Sequence, residues 1–244
     1  MAESELGLFL RSRRETIAAH RNTPGLSRSE VAARAGVTAS RLAGIEDGDE
    51  PDPPAPVLGA LAAVLGLSAS ERLHLYRLTR RNDSAPPLEI RPTVREVLSR
   101  LEPAAAVLIS RPGDLLAWTS GFQRLAGATG LLDGAPPNLN RYIFTDRRAR
   151  MTFPDWDVVA DLTAGSAAPE IAEELIVTAG PVFAGRSPTG PPAASGVLRW
   201  RHPAAGELQI AYETLVLPGD DGLHLVVVLV VGGENSEEEV RFEA

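Results

Sequence analysis

The sequence contains no cysteine and no lysine among its 244 residues, and aromatic side chains make up only 5% of it. Each absence closes a class of function. Without cysteine there is no disulfide framework, no thiolate zinc site, no iron–sulfur cluster, no cysteine nucleophile and no thiol redox sensor. Without lysine every cationic side chain is an arginine, a bias that fits a GC-rich coding sequence. No stretch approaches the ~18 consecutive apolar residues needed to span a bilayer. The start, MAESELGLFLRSRRE, has an acidic leading region and only a short apolar run, so neither a membrane anchor nor a signal peptide is expected, and the expected location is cytoplasmic. His20, His74, His202 and His224 are dispersed, and none has the spacing of a metal site. There is no nucleophile elbow, phosphate loop or dinucleotide fingerprint. Neither a metal nor a cofactor is expected, and an enzyme is disfavoured; a hydrolase built on His202, Ser195 and an acid is the remote alternative.

What is present reads as an ordinary globular chain. Hydrophobic residues are 44% and charged residues 23%, and the length favours two domains. The net charge of −8 speaks against a protein that coats nucleic acid, yet the charge is unevenly spread. Residues 1–45 carry seven arginines against Glu3, Glu5, Glu15 and Glu30, while residues 86–244 carry 13 arginines and 21 acids. A basic-leaning head precedes an acidic body.

Residues 1–80 read as five short helices. Leu6, Phe9, Leu10 and Ile17 share a helical face, and Pro24-Gly25 breaks that helix. Ser27 and Glu30 form a capping box for a helix over about 28–35, which Gly36 stops. Thr38 is a suitable N-cap for a third helix running to Asp47, before Gly48. Pro51, Pro53, Pro54 and Pro56 stiffen the next connection. Val57, Leu58, Leu61, Val64 and Leu65 repeat at helical spacing, and Ser68 with Glu71 opens a last helix containing Leu73, Leu75 and Leu78. A polar, proline-containing linker follows at 81–92. The rest, 93–233, reads as α+β: a helix with Val94, Val97, Leu98 and Leu101, a hairpin of 104–109 with 115–118 about Arg111-Pro112-Gly113-Asp114, and a helical region over 139–164. Residues 165–196 are rich in Ala, Gly, Pro and Ser, with one short helical candidate at 171–176. Three strands then follow, at 197–201, 207–217 and 223–231. They make five strands of one antiparallel sheet, and 234–244 is an acidic tail.

The stretch RSEVAARAGVTASRLAGIED at 28–47 has helix-turn-helix spacing. Ala32 is small where two helices cross, Gly36 supplies the positive φ of the turn, and Val37, Leu42 and Ile45 plug the second helix onto the first. Residues 5–80 resemble the Cro/repressor-type (Xre-like) DNA-binding domain. That resemblance implies that the helix after Thr38 enters the major groove, with Thr38, Ala39, Ser40, Arg41 and Gly44 toward bases and Arg28 on phosphate, helped by Arg11 and Arg14. The two latter arginines read equally well as solvated charges. Glu46, Asp47, Asp49, Glu50 and Asp52 depart from the family, whose members often place basic residues there; they predict modest, strongly salt-dependent affinity.

In the second half, Leu115-Leu116-Ala117-Trp118, NLNRYIFTD at 138–146, RRARMTFPDW at 147–156 and RHPAAGELQIAYE at 201–213 resemble the MmyB-like ligand-binding domain. That resemblance implies a PAS-like fold, a bacterial transcription regulator, and a pocket for a small apolar or fatty-acid-like effector. The candidate lining is Trp118, Phe122, Tyr142, Phe144, Phe153, Trp156 and Tyr212, with Asn138, Arg141 and His202 as polar anchors. The same aromatics can simply fill a core, Arg141 can pair with Asp146 or Asp155, and His202 can cap a turn. Relatives carry a longer helical insertion where this chain has 165–196, so the pocket is expected to be altered. A double-stranded DNA operator and a homodimer are the expected partners, since one short recognition helix reads few base pairs. The alternative is a ligand-free interaction or dimerisation module.

Overall fold

The computed structural model describes residues 4–19, 26–79, 89–186, 194–217 and 222–233. The Pro24-Gly25 break, His20, the side chain of Ile17, most of the 81–92 linker, the proline-rich 187–193, part of the 218–222 turn and the acidic tail lie outside the described residues. The chain divides into two compact units. One is Met1–Pro86 together with Ala172–Gly185, the other Pro87–Ile171 together with Arg186–Ala244.

The first unit is helical, with α1 (Glu5–Ala19), α2 (Arg28–Ala35), α3 (Ala39–Asp47), α4 (Ala55–Val64) and α5 (Ala69–Thr79). Local chemistry sets their ends. Ser27 accepts from the Glu30 amide while the Glu30 carboxylate accepts from the Ser27 amide, closing the expected capping box. Gly36 sits at φ +69°, the left-handed conformation required to stop α2 and turn the chain into α3. Thr38 then caps α3 by accepting from the Arg41 amide. Leu6 and Leu10 of α1, Val31 and Ala32 of α2, Leu42 and Ile45 of α3, Leu58 and Leu61 of α4 and Leu75 of α5 meet in one buried cluster.

The second unit is built on a five-stranded antiparallel sheet: β1 (Ala105–Ser110), β2 (Leu115–Trp118), β3 (Ser195–His202), β4 (Gly206–Val216) and β5 (Leu223–Gly233), in the order β2-β1-β5-β4-β3. Because side chains alternate across a strand, Ala106 and Leu108 face one side and Val107 the other. Helix α6 (Pro92–Arg100) covers the first side over β1 and β5, packing Val94 and Leu98 on Ala106, Leu108, Leu223 and Leu225. The opposite side carries Trp200 and Ile210, on the same face as Val107 by alternation from its cross-sheet partners Val226 and Thr214. There α7 (Ser120–Ala126) packs on β1. Helix α8 (Leu139–Thr145) packs on α10 (Trp156–Ser166), and α9 (Ala149–Thr152) packs on β3.

Two stretches differ from the sequence reading. The helical region expected over 139–164 is three helices, because Asp146 and Phe153 adopt extended backbone. Phe153 precedes Pro154, whose ring disfavours helical geometry in the preceding residue. The described part of 165–196, expected to hold one short helix, holds two beyond the end of α10: α11 (Pro169–Thr178) and α12 (Pro181–Ala184). Their two prolines sit at helix N-termini, where no amide hydrogen bond is lost.

One buried hydroxyl ties the start of β1 to the start of α7. Thr119, buried at the end of β2, donates to the Ala104 carbonyl at 2.7 Å and accepts from the Ala106 amide at 2.9 Å and the Phe122 amide at 3.3 Å. Thr119→Val keeps the shape but leaves these groups unpaired, so it lowers the stability of the second unit by about 1–3 kcal/mol. All three tryptophans, Trp118, Trp156 and Trp200, lie in that unit, so urea unfolding followed by tryptophan fluorescence reads the effect directly.

Candidate nucleic-acid interface and effector domain

The turn between α2 and α3 leaves the start of α3 open to solvent. Thr38, Ala39 and Ser40 are exposed, and Arg41 and Gly44 half-exposed, while Leu42 and Ile45 on the opposite face are fully buried. The residues expected at bases therefore form one accessible ridge. The helix presents the polar N-terminal turn that a major groove accepts.

Glu46 organises the ground beneath that ridge. Its carboxylate is 1% exposed and accepts from Arg14 Nε and Nη2 on α1, at 2.8 and 3.1 Å, and from Arg28 Nε on α2, at 2.6 Å. Arg14 also donates to the Leu26 carbonyl, and Arg28 and Arg11 both reach Asp47. A buried carboxylate is retained only where its lone pairs are met by fixed donors, and two guanidinium groups supply them here. Arg41 makes a two-pronged contact with Glu50, from Nη2 at 2.6 Å and Nε at 3.2 Å. These bonds hold the Glu50 carboxyl below the usual carboxylate range, so the pair is fully formed at neutral pH.

The acids that sequence reading set against the phosphate backbone are thus largely internal partners. Glu46, Asp47 and Glu50 hold the four arginines expected to face DNA. The missed role of Glu46 had a sequence signal: Leu42, Ile45 and Glu46 stand at i, i+3 and i+4, which places Glu46 on the buried stripe.

In the second unit most of the expected effector residues are already engaged. Phe122, Tyr142, Phe144, Phe153 and Trp156 are buried. Tyr142 donates its hydroxyl to the Thr129 carbonyl and lies 2.7 Å from the Thr152 hydroxyl, and burial raises its pKa. Trp156 donates Nε1–H to the Ile143 carbonyl at 3.0 Å, meets Phe144 edge-on, and is flanked by the guanidinium groups of Arg150 and Arg186 at 3.6 and 4.6 Å from its ring. Asn138 caps α8 and donates to the Pro112 carbonyl and Asp114, pinning the β1–β2 turn. Arg141 is half-exposed, 3.7 Å from Asp114; Asp146 and Asp155, the two acids expected for it, hold Arg148 and Arg199 instead. Trp118 lies near the surface and donates to Gln123.

His202 caps a turn. Its Nδ1 accepts from the Ala204 and Ala205 amides, which places the proton on Nε2, 3.2 Å from the Arg124 carbonyl. Ser195 and His202 stand at opposite ends of β3, about 23 Å apart at ~3.3 Å per residue. They cannot form a nucleophile–base pair.

A shallow apolar pocket of about 320 Å³ lies along β3, β4 and β5, between Val197, Ala211, Glu213, Val227 and Leu229, and Tyr212 reaches it. Sequence reading missed Trp200, which is 4% exposed, packs edge-on against Phe153 at 4.9 Å, and has no acceptor for its indole N–H among the described residues. The alternation of Leu198 and Trp200 across β3 was its available signal. No group of histidine, aspartate and glutamate capable of holding a metal occurs among the described residues, and no described helix is long and apolar enough to cross a membrane.

Glu46→Gln removes the charge that both arginines face. A fully buried pair broken in this way costs ~3–5 kcal/mol; with Arg28 partly solvated we expect about 1–3 kcal/mol from the head, seen as faster hydrogen exchange across α3.

Two family models match the chain. A helix-turn-helix domain matches residues 5–75, and the MmyB-like transcription regulator ligand binding domain matches residues 90–242. No curated protein matches it. With an exposed N-terminal turn on α3 in the first match and a sheet covered by helices in the second, the chain belongs to the MmyB-like transcription regulators, as a DNA-binding helix-turn-helix head followed by a ligand-binding domain.

Proposed function

We propose that the protein is a cytoplasmic, homodimeric bacterial regulator that binds a specific operator through α3 and responds to a small apolar or fatty-acid-like effector. The domain limits that go with this reading are 1–80 for the head, 81–92 for the linker, 93–233 for the effector domain and 234–244 for the tail. The observation that carries it is the exposed ridge Thr38–Ala39–Ser40–Arg41 above a fully buried Leu42 and Ile45. In the docked state Arg41 pairs with a guanine edge, Thr38 and Ser40 reach neighbouring bases or phosphate, and Gly44 lets the backbone approach closely. Arg28 at the start of α2 supplies a phosphate contact, helped by Arg11 and Arg14 along α1.

The ion pairs set the energetics of this docking. Arg41 must exchange Glu50 for a base, so part of the contact energy is spent on releasing an internal partner. Binding is therefore weak on random DNA and steep in salt. On duplexes enriched by the full chain from a random pool, fluorescence anisotropy tests the assignment with two opposite signs. Arg41→Ala weakens binding by about 1–3 kcal/mol and relaxes the preference at one position. Glu50→Gln frees Arg41 and tightens binding. If Arg41→Ala binds as well as the parent, or if Glu50→Gln weakens binding, the docking face is wrong.

An effector with an apolar body and a hydrogen-bond acceptor fits the aromatic layer, where the Trp200 indole N–H is buried beside Phe153 with no acceptor among the described residues; the apolar groove at Val197, Ala211, Val227 and Leu229 lies on the other face of the sheet and is a separate feature. Trp118, Phe122, Asn138, Arg141, Tyr142, Phe144, Phe153, Trp156, His202 and Tyr212 remain the proposed lining. Since their present partners are mostly internal, binding requires the aromatic layer to open. Native mass spectrometry of the full chain with a medium-chain fatty acid checks this: a one-to-one adduct lost in Phe153→Ala supports the pocket, and no adduct supports the ligand-free dimerisation module.

A further inference from the structure

The helical head is completed by a piece of chain that is continuous at both ends with the ligand-binding unit. Residues 172–185 fall within the span matched by the ligand-binding family, yet they belong to the compact head. Val177 is 0% exposed and shares the cluster that holds Val31, Leu42, Ile45, Leu58 and Leu61. Three local features look built for this approach. Gly59 on α4 faces the Ile176 carbonyl so closely that a Cβ there would lie 2.8 Å from the oxygen. Arg72 on α5 donates Nε–H to the Leu67 carbonyl at 3.0 Å and Nη1–H to the Val177 carbonyl at 3.4 Å. The chain then ends α11 with the Ala179 and Gly180 amides on the Leu175 carbonyl, Gly180 at φ +59°.

Val177 lies in the last turn of α11, where unpaired carbonyls concentrate negative potential. Among the described residues Arg72 has no acidic partner, and its donors go to backbone carbonyls. It serves as a cationic cap for the C-terminus of α11, supplied by the head. Helix α4, which carries Gly59, also packs on α2 and buries Leu58 and Leu61 against the residues that seat α3.

We propose that the α4–α5 face of the DNA-binding head is a docking site for residues 172–185, and that this docking is the contact through which the ligand-binding unit tunes DNA affinity. A seated segment buttresses α4, and α4 in turn fixes α2 and α3 at the angle the groove requires. Any effector-driven change that draws the segment away loosens the buttress and lowers affinity, as linkage demands of a ligand that favours the undocked arrangement. The coupling rests on the DNA-binding reading above; the docking itself does not.

The test uses the full chain with Gly59→Ala and, separately, Arg72→Ala. Alanine is the better helix former, so Gly59→Ala does not weaken α4 itself; it acts by pushing on the Ile176 carbonyl. Arg72→Ala leaves that spacing untouched and removes only the cap. Hydrogen exchange over Leu175–Gly180 is expected to speed up at least fivefold in both variants, with Trp156–Ser166 unchanged, and affinity for duplex selected by the parent chain is expected to fall five- to twentyfold. Unchanged exchange in both variants overturns the docking. Faster exchange with affinity held within twofold overturns the coupling. A parent chain that enriches no duplex sinks the DNA-binding reading and the coupling with it, leaving exchange to decide the docking alone.

Discussion

The carboxylate of Glu46 is the point where three helices of the head are tied together. Arg14 reaches it from α1 and Arg28 from α2, so the angle between the helix-turn-helix pair and α1 is set by directional, charge-assisted bonds as well as by apolar contact. Apolar packing alone tolerates small rotations, because it depends on buried area more than on direction. A planar guanidinium facing a carboxylate does not. The exposed ridge at Thr38–Arg41 owes its fixed orientation to this arrangement. The same bonds explain why an acidic patch after a recognition helix is compatible with DNA binding: much of its charge is met within the head before any phosphate arrives.

The ligand-binding unit uses a different device. Its helical layer is held by side-chain hydrogen bonds to backbone: Thr119 under β1, Asn138 under the β1–β2 turn, Tyr142 on Thr129, Trp156 on Ile143. Tyr142 and Trp156 are each anchored at the polar end and packed on the apolar body. A layer built in this way is well filled yet has a limited number of polar attachments. Rings that pivot about those attachments provide a physical route to a pocket without unfolding the sheet. Trp200 stands apart, its buried indole N–H having no acceptor among the described residues.

Much of this was readable from residues. Periodicity and caps located the five helices of the head, because Ser27, Gly36, Thr38 and Ser68 act locally, within four residues of the bonds they make. The five strands were readable for the same reason: Pro218-Gly219 and Arg111-Pro112-Gly113 mark turns, and alternation needs no knowledge of distant chain. What was not readable is long-range. That Arg14 and Arg28 converge on Glu46 depends on helix crossing angles. That α11 finds the face of α4 depends on contacts more than 100 residues apart, such as Arg72 with Val177. A run of alanine, glycine and proline at 165–196 looks featureless because its helices draw their stability from what they pack against rather than from their own composition.

Gly59 has a meaning for how this protein can be taken apart. Helix-turn-helix heads are commonly pictured as detachable, joined to a sensor by a string that can be cut. Here the apolar cluster of the head draws Val177 from beyond the string, so the boundary in sequence and the boundary in packing do not coincide. A fragment ending near residue 80 keeps every residue proposed to face DNA yet exposes the strip of α4 around a glycine shaped for a neighbour's backbone, an open edge prone to self-association. Grafting another head onto this chain therefore demands matching the strip on α4 as well as the linker.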